Sequence, residues 1–294
     1  MRVPIAILLI VFIPVSVSAW GEKGHLMINQ LAMDVAAPKL PEFMNAALEQ
    51  IIYNGFEPDR WRREEHTPMN TAQEVDHFFD AEKWGAISTI PSDRYLFLQQ
   101  LVERKGDLKV GYVPYAIIEN YGRLVNAFRF WRNAKTPTDR QSASVNAIYV
   151  AGVLGHYVGD GSQPMHLTIH HHGWAVAASN PKRFTTDPGI HSRYEADYVN
   201  VAIDADAVRR TVRSPERLAN VWDSIKQYLS ETFLELVPLF ELEKAGEFKP
   251  DRPRAKGTGF IAAELSRAGT MLAALWYTAW LESAEPARTP PPSK

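Results

Sequence analysis

Residues 142–166 read SASVNAIYVAGVLGHYVGDGSQPMH. Over the first two thirds of this stretch apolar side chains recur every three or four positions, the period of an α-helix. Gly161 and Pro164 then stop the helix and turn the chain. His156 and Asp160 stand four residues apart near the helix end, so both project from one face and can hold one cation. The turn lets His166 reach the same region as a ligand of a neighbouring ion. A helix end with a favourable histidine and an incidental acid would give the first pair alone. The third ligand in the turn is what argues for metal.

The same helical period runs through the rest of the chain. Leu26, Ile28, Leu31 and Val35 predict a first helix, and Pro41, Phe43, Ala46, Leu48, Ile51 and Ile52 predict a second one ending before Gly55. Longer patterns cover 115–131, 142–158, 216–240 and 259–281, and no segment alternates as a strand does. The expectation is therefore an all-α fold, with residues 20–285 forming a single multi-helix domain.

Residues 1–19 carry one basic residue, Arg2, then an apolar run from Ile5 to Ile13, then small residues Val17 and Ala19 at the −3 and −1 positions of a peptidase site. This is the pattern of a signal peptide, and its apolar run is short for a membrane span. A retained anchor helix is the alternative. Cleavage after Ala19 would export the protein to the periplasm or the medium. Residues 286–294 contain four prolines and few apolar groups, and are expected to form a disordered tail. A net charge of −2 gives no global attraction to a polyanion, so any phosphate recognition must be local. There is no cysteine, which leaves imidazole, carboxylate and main-chain groups to hold any zinc. Nothing points to an obligate protein partner, and a monomer is expected.

Other candidate ligands are individually weak. His191 and Glu195 repeat the four-residue spacing, as a solvated surface pair also does; joined to His166 they make a three-ligand set that leaves zinc a position for water. Trp20 would become the amino terminus after cleavage, offering a free amine that loses its proton to a metal more easily than lysine does, with His25 five residues on. An aromatic anchor at a helix entry reads equally well there. Asp59 follows Pro58 as an N-cap would, and His77, between Asp76 and Asp80, could be a core histidine. The loop 170–190, rich in Gly, Pro and basic residues, is long enough to be functional.

Taken in order, Trp20, His25, Asp59, His77, His156, Asp160, His166, His191 and Glu195 resemble the ligand series of the superfamily that joins bacterial zinc-dependent phospholipases C and the single-strand-specific zinc nucleases of fungi and plants. The stretch from His156 to His166, with Gln163-Pro164-Met165, is the most specific part of the likeness. It extends from Trp20 to Glu195, and to the helix around Trp276 in general character. The resemblance implies a helical scaffold with a trinuclear zinc site. Asp59, His77, His156 and Asp160 would hold one zinc, Trp20 and His25 would share Asp160 at a second, and His166, His191 and Glu195 would hold the third. Asp59 would also be the catalytic base, and Asp80 could orient His77. His66 and the run His170, His171, His172 match no ligand position and read as loop residues, although the run could contact phosphate.

That family acts on phosphoesters, so the substrate expected here is a phospholipid head group or single-stranded nucleic acid. Gln163 to His166 and the closing Glu195 are more similar to the phospholipases; the nucleases usually close with Asp and carry a Gly-Gly-Asn motif that this chain lacks before His191. Arg60 stands where choline-preferring phospholipases place an aromatic residue, and the short step from Trp20 to His25 is nuclease-like. Trp174, Lys182, Arg183 and Phe184 in the long loop could stack bases and contact phosphates, or touch a membrane surface. The reading from a different class is a secreted helical protein that uses zinc only for folding. Three-ligand coordination at His166, His191 and Glu195 argues against it, because structural sites are generally closed by four protein groups.

Overall fold

The longest apolar patterns become the helices that build the core. α1 spans Gly21–Ala36, α2 Leu48–Asn54, α3 Glu57–Arg60, α4 Val113–Asn133, α5 Pro137–Gly161, α6 Val221–Leu234 and α7 Ala255–Glu282. A computed structural model describes residues 20–62 and 67–286. The expected signal peptide, His66 and the tail beyond Pro286 lie outside those residues. Helices account for 69% of the chain and no strand occurs among the described residues, so the fold is all-α. None of the described helices is long and apolar enough to cross a membrane.

α5 is the axis of the molecule. Thr136 caps its first turn by accepting from the Asp139 amide at 3.0 Å, and Pro137 occupies the first helical position, where a missing N–H costs nothing. From Ala151 to Gly161 every residue is buried, the pattern of a helix surrounded on all sides. α4 packs along it on one side, and α1, α2 and α7 close the others.

Glycines set how near those neighbours come. A Cβ on Gly152 would lie 2.6 Å from the Ile51 carbonyl oxygen, and one on Gly155 would overlap the Asn29 side chain at 1.7 Å. The buried Asn29 amide uses that space, donating to Ile51 O at 2.8 Å and Gly152 O at 3.2 Å. α1, α2 and α5 are thereby tied together one turn before the metal-ligand candidates begin. The Trp276 indole N–H donates to Ala151 O at 3.2 Å and fixes α7 to the same stretch.

Two expected helices are each broken in two. The segment 41–52 forms Glu42–Ala46 and α2, interrupted at Ala47, whose φ and ψ of −107° and 22° are not helical. The segment 216–240 forms α6, capped by the Asn220 side chain, and a separate helix Leu236–Lys244. Pro238 explains the second break, since it has no N–H to continue the helix and its ring crowds the preceding turn. The pattern from 259 starts earlier than expected, at Ala255.

Candidate metal centre

The end of α5 carries His156 and Asp160, both fully buried. The Nδ1–H of His156 donates to the Gly55 carbonyl at 3.0 Å, which assigns the proton to Nδ1 and turns a bare Nε2 inward. That Nε2 lies 3.4 Å from Asp160 Oδ2, 3.0 Å from His77 Nδ1 and 3.9 Å from Asp59 Oδ1. His77 Nδ1 in turn lies 3.1 Å from Asp160 Oδ2 and 3.7 Å from Asp59 Oδ1. Four groups from α3, the turn Val75–His77 and α5 therefore converge on one point.

His25 enters from α1 on the other side of Asp160. Its Nε2 is 3.7 Å from Asp160 Oδ1, and its ring stacks on His156 with centroids 4.0 Å apart. Gly159 permits this, because a Cβ there would meet His25 Nδ1 at 2.9 Å. His25, His156 and Asp160 form one group able to hold a cation, and Asp59, His77 and His156 another. Asp160 thus stands with one carboxylate oxygen toward each.

The third group joins the turn after α5 to a distant loop. His166 Nδ1–H donates to His77 O at 2.7 Å, leaving Nε2 to face His191 Nε2 at 3.1 Å and Glu195 Oε1 at 3.2 Å. His191 Nε2 also touches Glu195 Oε1. Glu195 sits in a widened π-helical turn, Arg193–Asp197, a form of turn that re-aims side chains and recurs at functional sites. The Gln163 amide donates to Glu195 Oε1 at 2.5 Å and holds it in place.

A cation fits these donors. Asp160 Oδ1 and Oδ2, both ring nitrogens of His25 and Glu195 Oε2 are buried with no hydrogen-bond partner. Each unsatisfied group of this kind costs on the order of 1–3 kcal/mol. Burial holds His25 and His77 well below the usual histidine range, with the Arg62 guanidinium adding to it at His77, and burial pulls His156 down to about 3. These imidazoles are therefore neutral ligands rather than ammonium-like partners for the acids. Burial pushes Asp160 well above the carboxylate range, a cost that a bound dication removes. At the third group burial opposes charge on Glu195, but His191 and His166 outweigh it and hold it at about 2.

Eight of the nine expected ligands are brought together in this way. The ninth, Trp20, is buried beside them, its indole N–H donating to Gly159 O at 2.9 Å and Ser162 Oγ at 2.8 Å. Its carbonyl accepts from the Gly24 amide at 3.1 Å in the first turn of α1. A free amine there depends on residue 19, outside the described residues. Asp80 does not turn to His77: its carboxylate pairs with Lys83 at 2.8 Å, because residue 80 closes the extended step after His77 with its amide on Val110 O.

The centre opens on a cavity of about 170 Å³ lined by Arg62, Glu74, His77, Phe78, Met165, His166, His171, His172 and His191. A larger cavity of 620 Å³ lies elsewhere, so the donor groups and not size select the site. Arg62 and Phe78 escaped the sequence reading, whereas His171 and His172 were open to it only as loop residues that could contact phosphate. Arg62 was detectable as the residue one helical turn beyond Asp59, to which its guanidinium donates at 3.4 Å. Phe184, expected to offer a stacking surface, is buried against Phe240, with ring centroids 5.3 Å apart. Trp174 packs beside it, and Lys182 is paired with Glu241 at 2.8 Å. The apolar rings of the loop fill a gap in the core and so do not reach outward.

Comparison with protein-family models and with curated proteins finds no match.

Proposed function

We propose that this chain is an exported, zinc-dependent phosphodiester hydrolase holding three zinc ions. The observation that carries the reading is Asp160: a fully buried carboxylate with one oxygen toward His25 and the other toward His77 and His156. A bridging carboxylate between imidazoles suits a metal pair. Imidazole and carboxylate donors are compatible with zinc, and the resemblance of the ligand series is what favours it among the divalent ions.

The chemistry that zinc supplies in such a site is Lewis acidity toward a phosphoryl oxygen and a lowered pKa for water. The remaining work falls to the protein. Asp59 accepts the proton of the attacking water, as a carboxylate positioned within the cluster can. Arg62 faces the cavity and opposes the charge that develops on phosphorus oxygens, and its contact with Asp59 holds both in register. Met165 and Phe78 exclude bulk water from one wall.

A phospholipid is the substrate that the resemblance favours, through Gln163 to His166 and the closing Glu195. A choline head group finds no aromatic cage at Arg60, whose guanidinium instead lies over the Tyr53 ring at 3.9 Å. One observation favours the second reading, single-stranded nucleic acid: Phe78 is half-buried in the cavity wall and presents a flat apolar surface to an unstacked base. A zinc-bearing protein with no catalysis is disfavoured by the open cavity beside a three-ligand group.

The test is hydrolysis of bis-nitrophenyl phosphate, a short-chain phospholipid and single-stranded DNA by the zinc-loaded protein and by its Asp59→Asn variant. Loss of Asp59 is expected to lower turnover by about 10² to 10⁴ while the helical fold persists. A parent protein inert on all three substrates, or a zinc-saturated variant as fast as the parent, would refute the proposal.

A further inference from the structure

The long loop after His166 is built to fix its middle. At its root, Thr168 Oγ1 donates to the Glu82 carboxylate and the Ile169 amide donates to Glu82 Oε2 at 3.1 Å. His170 turns inward, accepts from the Ala175 amide at 2.9 Å, and stacks on Trp174 with centroids 3.9 Å apart. Trp174 rests on Phe240, and its amide donates to Thr185 O at 2.7 Å. Between these anchors Gly173 adopts a φ of +87°, and a Cβ there would strike the Thr186 carbonyl carbon at 2.7 Å. Only glycine gives the loop that close return.

The consequence is that His172 has nowhere to go but the rim of the metal centre. It is exposed, lines the cavity with Arg62, His166 and His191, and places its ring 5.3 Å from that of His191. Among the described residues neither of its ring nitrogens has a hydrogen-bond partner. It also stands outside the three groups whose donor atoms converge on a cation. His171 differs, its Nδ1–H donating to Thr168 O at 3.3 Å. An imidazole held at a cavity mouth by a clamped turn, with a spare N–H and a neighbouring arginine, is a donor for an oxyanion.

We propose that His172 contacts substrate, donating a hydrogen bond to a phosphate oxygen seated above His166, His191 and Glu195. This rests on the phosphoester reading above for the identity of the ligand. The ligand chemistry is a phosphate group, from a lipid head group or a nucleotide alike, and the paired substrate assays distinguish those sources.

The experiment uses zinc-loaded parent, His172→Ala, His172→Gln and, as a surface control, Lys182→Ala. Zinc per chain is measured by elemental analysis, orthophosphate affinity by calorimetry, and kcat and KM on bis-nitrophenyl phosphate. His172→Ala is expected to retain all its zinc and to bind orthophosphate about 10- to 100-fold more weakly, the loss of one hydrogen bond to a charged group. His172→Gln should recover part of the affinity, since its amide also donates, and Lys182→Ala should match the parent. Loss of a zinc ion in His172→Ala would make it a metal ligand and overturn the proposal. Unchanged phosphate affinity, or no phosphate binding by the parent, would overturn it as well. A parent that binds orthophosphate through His172 but hydrolyses no phosphodiester would sink the proposed activity and leave this contact standing.

Discussion

Asp160 is the residue on which most depends. It accepts no hydrogen bond within the protein, is fully buried and lies among four imidazoles, those of His25, His77, His156 and His166. Glu195 differs, because Gln163 and two histidines already satisfy one of its oxygens. Asp160→Asn is therefore expected to release the metal of two groups, and Glu195→Gln that of one, as read by zinc per chain. Equal loss of a single ion in both variants would remove the bridging role. Sequence disclosed both residues, because carboxylates at helical spacing from histidine keep that spacing in space. It missed Arg62 and left His172 only within a histidine run that could contact phosphate, since what aims them is a turn at Asp59 and a loop return at Gly173, neither of which is periodic.

At the level of elements, ligand geometry follows from close helix packing. Gly152 sits one turn before His156, and the Ile51 carbonyl of α2 occupies the space its side chain would need. Gly152→Ala is expected to push α2 from α5 and to destabilise the fold by about 1–3 kcal/mol, measured by denaturant unfolding. An unchanged midpoint would mean that α2 yields freely, against the tie made by Asn29. Helices α1, α4, α5 and α7 were legible from their apolar period. The breaks at Ala47 and Glu235 were less so, because the apolar pattern continues across them while the backbone turns. For Pro238 the signal was present and outweighed by periodicity. The aromatic residues of the long loop carried the opposite error: composition suggested a contact surface, yet Trp174 and Phe184 pack on Phe240.

For the molecule as a whole, a second buried acid offers an independent check on the core. Glu264 of α7 is almost fully buried, and burial raises its carboxyl to about 8 despite Arg267 at 3.2 Å. A carboxyl raised on folding binds more protons in the native state, so its stability contribution is full below the unfolded value near 4.5 and is lost as pH rises through about 8. The parent is thus expected to lose Tm between pH 6 and 9, and Glu264→Gln to lose less, by thermal unfolding at both pH values. Parallel losses would mean that Glu264 is solvated in the native state.

The metal centre stabilises the same fold, since ions that bind only the native state raise its stability by mass action. Chelation is expected to lower Tm at fixed pH, with re-addition of zinc restoring it. The most direct measurement is an anomalous difference map at the zinc edge from crystals grown without added metal. Three peaks are expected: one among Asp59, His77, His156 and Asp160, one beside His25 and Asp160, and one within His166, His191 and Glu195. A map with no peak at these groups after zinc is added to saturation would contradict the account.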